Sequence, residues 1–163
     1  MRRGAGTRRA VDAGMAVILV VNDDADMLDT YEAFLREMGH EPVTKVAVAS
    51  GPETVREIKP DALVVDLQLA DEKRHGLRII EEVRGDPELA ALPIVLCTAA
   101  AAEVGPLKTR LRELDVPVVL KPFKADHLEK TLTQALQRRR ARPGSAWPSR
   151  PTSPWPRRTT GRW

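Results

Sequence analysis

The sequence predicts an α/β fold: a doubly wound, five-stranded parallel sheet in (βα)5 order, flanked by disordered N- and C-terminal tails. Three observations carry this expectation. Five short apolar runs alternate with segments whose apolar residues recur at helical spacing, the pattern of βα units joined by right-handed crossovers. The first run, Val17–Val21, is continuously apolar, as a strand buried on both faces must be. Finally, 42% hydrophobic residues with only 4% aromatics call for an aliphatic core rather than an aromatic-rich β-sandwich.

The elements follow in order. After the strand Val17–Val21, Met27, Leu28, Tyr31, Phe34, Leu35 and Met38 form a helical stripe, and Gly39 supplies the stop. Pro42–Val48 reads as a second, weaker strand. Ser50 followed by Glu53 is a capping box that starts a short helix ending near Ile58. Ala62–Val65 is the third strand and ends in Asp66. Leu77, Ile79, Ile80 and Val83 mark the third helix, and Ile94–Cys97 a fourth strand ending at Thr98. Val104, Leu107, Leu111 and Leu114 form the next stripe, with Gly105-Pro106 expected to delay the helix start to Pro106. Val116–Leu120 is the fifth strand, ending at Lys121-Pro122. Leu128, Leu132, Ala135 and Leu136 define the last helix, with Asp126 as its expected cap.

The charge is divided along the chain. The net charge of +3 and the pI near 9.3 come from the ends. Residues 1–14 carry four arginines and one aspartate, and residues 138–163 carry eight arginines and no acid. The segment 15–137 between them has a net charge of −8. The basic pI therefore does not mark a basic, nucleic-acid-binding domain. Three regions are expected: a disordered extension over 1–14, one domain over 15–137, and a disordered tail over 138–163. Met15, directly before the first strand, is a candidate start. The single cysteine, Cys97, excludes a disulfide framework and is expected to be a buried small hydrophobe. No run approaches the ~20 apolar residues of a membrane span, and no apolar stretch follows the N-terminal arginines as in a secretory signal. The expectation is a cytoplasmic protein with no membrane partner. His40, His75 and His127 lack metal-ligand spacing and are expected to be solvated or at helix ends.

In an open parallel sheet the ligand site lies beyond the carboxyl ends of the strands. Here those ends are Asn22-Asp23-Asp24, Asp66, Thr98 and Lys121-Pro122. The predicted fold thus brings carboxylates, a hydroxyl and an ammonium to one rim. Clustered carboxylates need a cation or a proton between them. Hard oxygen ligands suit Mg²⁺, which usually takes one or two carboxylates plus phosphate oxygens and water. An ammonium and a hydroxyl match the remaining oxygens of a phosphoryl group. The constellation points to phosphoryl transfer onto a carboxylate.

The runs VILVVNDD, LVVDLQL, IVLCTA and VVLKPF, in this order at four strand ends, resemble the receiver domains of two-component response regulators, with their flavodoxin-like receiver fold, over about residues 15–137. The resemblance implies that Asp66 is the phosphoacceptor and that Mg²⁺ is bound by Asp23, Asp66 and the backbone carbonyl of Gln68. It implies that Thr98 bonds a phosphoryl oxygen and reorients, that Lys121 pairs with the phosphoryl group, and that a cis peptide bond precedes Pro122. The implied partners are a sensor histidine kinase or phosphotransfer protein and an output protein whose identity the sequence does not give. The chain would be a signalling receiver that catalyses only its own phosphorylation and dephosphorylation.

Three departures from the family stand out. Asn22 takes the place of the first of two acids, acting on the metal indirectly through water; a register shifted by one residue would use Asp23 and Asp24 instead. The loop from Asp66 to Gly76 is about two residues longer than usual, with Ala70 where proline is common. Val118 stands in place of the switch aromatic. Asn22 and Val118 keep open a rival reading, a receiver-like interaction module that works without phosphorylation. A second rival has the receiver regulating a nucleic-acid-binding tail, in which Trp147, Trp155 and Trp163 lie among arginines; nucleic acid is otherwise not an expected partner. A phosphatase using Asp66 would need an acid at position 68, which is Gln68.

Overall fold

The computed structural model describes residues 15–69 and 74–141. Its five strands are β1 (Val17–Val21), β2 (Glu41–Lys45), β3 (Ala62–Asp66), β4 (Ile94–Thr98) and β5 (Val118–Leu120). Its helices are α1 (Ala25–Glu37), α2 (Gly51–Ile58), α3 (His75–Gly85), α4 (Ala101–Glu113) and α5 (Ala125–Ala141). All pairings are parallel, in the order β2-β1-β3-β4-β5. This is the doubly wound flavodoxin-like order.

The strands form because their period-two side chains feed two separate cores. Leu19, Val21, Leu63, Val65, Ile94 and Leu96 point to one face, where they meet Val55, Ile80, Val83 and Leu107 of α2, α3 and α4. Ile18, Val20, Ala62, Val64, Val95 and Cys97 point to the other, against Tyr31 and Leu35 of α1 and Leu128 and Leu132 of α5. Neither face meets solvent, so the central strands carry no polar alternation. Truncating a fully buried residue such as Leu96 to alanine would cost about 2–5 kcal/mol.

Helix boundaries follow local chemistry. The Asp24 carboxylate caps α1 by accepting from Asp26 N (2.9 Å) and Met27 N (3.3 Å), and Gly39, at φ +83°, turns the chain out of it. Ser50 caps α2, as the capping box predicts. Lys59 closes α2 in the left-handed conformation.

The structure differs from the sequence expectations at four elements. Helix α4 begins at Ala101, with Pro106 inside it. The bonds Ala101 N–H to Ala99 O and Glu103 N–H to Ala100 O tighten its first turn, and burial of Leu107 and Leu111 outweighs the amide bond that Pro106 cannot make. Asp126 lies within the first turn of α5 rather than before it. Strand β2 ends at Lys45 instead of Val48, and β5 starts at Val118 instead of Val116; both are edge strands, where the ladder ends early. Helix α5 continues to Ala141, past the expected boundary at 137, because Arg138 pairs with Asp115 (3.4 Å) and Arg139 donates to Asp61 O (3.1 Å). Residues 138–141 therefore belong to the fold. The expected extension over 1–14, the loop feature at Ala70 and the tryptophans at 147, 155 and 163 lie outside the described residues.

Candidate functional site at the carboxyl rim

Strand order reverses between β1 and β3, since each leads outward to a different edge of the sheet. Their connections therefore depart to opposite sides and leave a crevice at their carboxyl ends. An open cleft of about 210 Å³ lies there, lined by Asn22, Asp23, Asp24, Asp66, Gln68, Thr98 and Lys121. The sequence-predicted site residues at the strand ends thus share one cavity.

Asp66 ends β3, and its side chain is 12% exposed. Three donors from three segments hold the carboxylate. Lys121 Nζ reaches Oδ2 at 2.5 Å, Asn22 Nδ2 reaches the same oxygen at 3.3 Å, and Gln68 N reaches Oδ1 at 3.1 Å. An ionised carboxylate accepts at about four lone-pair positions, so capacity remains on the side of the cleft.

Asn22 is buried, at 2% exposure. Its Oδ1 accepts from Asp24 N at 2.8 Å, a local turn typical of Asn. Asp24 caps α1 through Oδ1 and also borders the cleft. Asn22 directly follows β1, and Asp23 and Asp24 both line the cleft beside it. Asp23 lines the cleft and is exposed.

Thr98 is buried at the end of β4, and its Oγ1 accepts from Ala100 N at 3.1 Å. In this state the hydroxyl thus braces the β4–α4 turn. Lys121 N donates to Thr98 O at 2.9 Å, which ties the lysine to the threonine strand. The Lys121–Pro122 peptide bond is cis. Phe123 then packs on Tyr31 and Phe34 of α1, with ring centroids 5.8 and 6.4 Å away, which anchors the lysine segment across the site. Val118, partly buried, packs against the core beneath α4. The apolar stripe of α1 explains Phe123, but nothing local in the sequence marks that contact.

Two residues around the site escaped the sequence reading. A Cβ on Gly76 would stand 1.9 Å from Asp66 O and 3.0 Å from Leu67 Cα, so only glycine lets α3 approach the end of β3 this closely. Glu103, in the first turn of α4, accepts from Gln68 Nε2 at 3.0 Å. An expected helix start at Pro106 had left Glu103 in a loop. Two other groups near the site are shifted toward their neutral forms. Burial pushes the Cys97 thiol up to about 12 and holds the Tyr31 hydroxyl well above its ordinary range.

The donor set fits Mg²⁺. Asp66 and Asp23 offer hard oxygens beside a backbone segment, and Mg²⁺ needs only one or two carboxylates when waters and phosphate complete its octahedron. Among the described residues no three acidic, histidine or cysteine side chains gather as a metal-ligand group. Three carboxylates, those of Asp23, Asp24 and Asp66, line the cleft, and Asp24 also caps α1.

Comparisons with known proteins agree with this geometry. The hybrid signal transduction histidine kinase D of Dictyostelium discoideum is 29% identical over 127 residues, covering 77% of this chain and 8% of the kinase. The DNA-binding response regulator MtrA of Mycobacterium tuberculosis (strain ATCC 25618 / H37Rv) is 29% identical over 121 residues, 74% of this chain and 50% of MtrA. The chain thus spans half or less of these two relatives. Among solved structures, a sensor protein from Polaromonas sp. JS666 is 27% identical with a TM-score of 0.63, covering 77% of this chain and 98% of that one. NtrX from Brucella abortus is 26% identical with a TM-score of 0.66, over 77% of this chain and 27% of NtrX. The family model for the response regulator receiver domain matches residues 18–133, and with the strand order and the rim already described, the chain belongs to that family.

Proposed function

We propose that the chain is a phosphoacceptor receiver of a two-component phosphorelay. Asp66 takes a phosphoryl group from the phosphohistidine of a sensor histidine kinase or phosphotransfer protein, and the change is passed to an output protein. The observation that carries this reading is the Asp66 carboxylate, set in an open cleft with the Lys121 ammonium 2.5 Å from Oδ2. In the transfer, an Asp66 oxygen forms the new bond to phosphorus while the phosphorus–nitrogen bond breaks, and the electron pair leaves with the imidazole. Lys121 neutralises charge on the transferring oxygens, and its tether to Thr98 O keeps it aimed. Thr98 leaves Ala100 N to bond a phosphoryl oxygen, which loosens the turn leading into α4. Mg²⁺, held by Asp23, Asp66 and the Gln68 carbonyl, supplies further charge neutralisation when bound. Hydrolysis of the acyl phosphate resets the domain, so the chain catalyses only reactions on itself. The reading places the protein in the cytoplasm, where phosphohistidine donors act. Among the described residues no helix is long and apolar enough to cross a membrane.

Acetyl phosphate with Mg²⁺ should add one phosphoryl group to the wild type by intact mass, and none to Asp66→Asn. One observation favours a second reading, the phosphorylation-independent module: the Asn22 amide already occupies Asp66 Oδ2. A wild type left unmodified under conditions that label an ordinary receiver would decide for that module.

A further inference from the structure

We propose that Asn22 is a positioning residue for Asp66 that takes over, in the resting domain, the part a divalent cation would otherwise play. The site then stands assembled without metal. This inference rests on the receiver reading only in placing Mg²⁺ at the same cleft.

The amide of Asn22 is fixed from both ends. Its oxygen accepts from Asp24 N at 2.8 Å and its nitrogen donates to Asp66 Oδ2 at 3.3 Å. Exchanging the two would set an NH₂ against a backbone N–H and a carbonyl oxygen against a carboxylate, two repulsions in place of two attractions. The backbone is held as well, with Asn22 N donating to Lys45 O at 3.1 Å. A buried amide pinned in this way presents its N–H to Asp66, and one of the two lone pairs of its oxygen is already committed to Asp24 N.

The consequence is electrostatic. The Asp66 carboxylate is met by one ammonium and two neutral N–H donors, so its charge is balanced by Lys121 alone. An aspartate at position 22 could not donate. It would place a second negative group on the atom that Asn22 now bonds, and like charges this close require a cation or a proton between them. Asn22 thereby removes both the need for the metal and part of the attraction for it. Asp23, Asp66 and the Gln68 carbonyl remain as the groups to hold it.

The test is unfolding of the full chain in EDTA and in excess Mg²⁺, for wild type, Asn22→Asp and Asn22→Ala. The wild-type midpoint should move less between the two conditions than that of Asn22→Asp. In EDTA, Asn22→Asp should unfold about 3–6 °C below wild type, and Mg²⁺ should close most of that gap. Asn22→Ala loses the bonds without adding charge, so its deficit should be the same in both conditions. If Asn22→Asp does not fold in EDTA, titration with Mg²⁺ reads the recovery of folded signal, and recovery supports the proposal. An Asn22→Asp midpoint equal to wild type in EDTA, or a deficit that Mg²⁺ does not relieve, overturns it. None of these readings uses phosphorylation. A wild type that acetyl phosphate fails to modify would end the phosphoacceptor reading and leave the positioning role standing, and the reverse pattern would do the opposite.

Discussion

At the amino-terminal rim of the sheet, charged side chains reach for backbone. The Asp61 carboxylate accepts from Val17 N at 2.7 Å, and His40 Nδ1 accepts from Ala16 N at 3.3 Å. Arg84 donates to the carbonyls of Leu92, Ala90 and Leu114 at 2.5, 3.1 and 2.7 Å. At the carboxyl rim, Asp66, Asn22 and Lys121 reach for one another across an open cleft. The parallel topology explains the division. Helices run back against the strands, so every helix ends at the amino rim, where the dipole favours cations such as Arg84 and Arg139. Every helix begins at the carboxyl rim, where orphan N–H groups and positive dipole ends favour an anion. Polar side chains spent on backbone close the fold, while those facing one another around a cavity are available to a ligand. On these grounds the second rim is the one suited to an anionic ligand.

Substitutions can break this contrast, beginning with the largest effect. Gly76→Ala forces a Cβ into the backbone of Asp66 and Leu67, atoms that cannot yield as a side-chain tip would. It should cost about 3 kcal/mol or more and displace Asp66 as well, so both chemical denaturation and labelling by acetyl phosphate should suffer. A variant within ~1 kcal/mol of wild type that still labels would show that α3 can retreat and that the close approach is not required.

Arg84→Met keeps much of the stem but strands the carbonyls that Arg84 serves. With those acceptors partly buried, the loss should be about 2–4 kcal/mol in urea unfolding, with labelling of the remaining folded protein unchanged. A large drop in labelling rate at normal stability would mean that the amino rim communicates with the site. Lys121→Met reverses the pattern. Labelling should fall on the order of 100-fold or more. The stability change should be about 1–2 kcal/mol, below the ~3–5 kcal/mol of a fully buried pair, because Asp66 borders an open cleft where solvent can reach its charge and Asn22 and Gln68 still donate to it. Equal damage to stability and chemistry would erase the distinction between the rims.

The same contrast explains what the sequence could disclose. Strands β1, β3 and β4 were legible because burial on both faces leaves an unbroken apolar run. The carboxyl-rim candidates were legible because topology alone puts strand ends together, whatever the side-chain detail. The cap at Ser50 and the stop at Gly39 were equally local. The start of α4 was not, since Pro106 speaks locally against a helix that Leu107 and Leu111 enforce from the core. Gly76, Glu103 and Arg84 stayed silent for a related reason. Their contacts, to Asp66 O, Gln68 Nε2 and the carbonyls before β4 and β5, exist only once distant segments are docked. His40 belongs with them in part: expected to be solvated or at a helix end, it does follow the end of α1, but it is half-buried and accepts from Ala16 N.

His40 supplies the smallest test and the one most specific to the amino rim. Burial lowers its pKa from the ordinary 6.5, with Glu129 and Asp61 pulling weakly the other way. The neutral ring is the form that accepts from Ala16 N, since a protonated Nδ1 would face that N–H as a second donor. The unfolded chain takes up the proton near pH 6.5 and the folded chain only at lower pH. Between the two values the unfolded state binds more protons, and stability falls as the solution is acidified. The contribution is therefore complete above the unfolded value and is lost as the pH falls through the folded one. Because the ring is half-exposed, solvent screens the effect, which should stay below about 1 kcal/mol. The stability of wild type minus that of His40→Ala, followed from about pH 7 to 5, should shrink on acidification, while carboxylate effects common to both cancel. A difference that stays flat would mean that the imidazole does not accept from the first strand, and that this end of the sheet is closed by Asp61 alone.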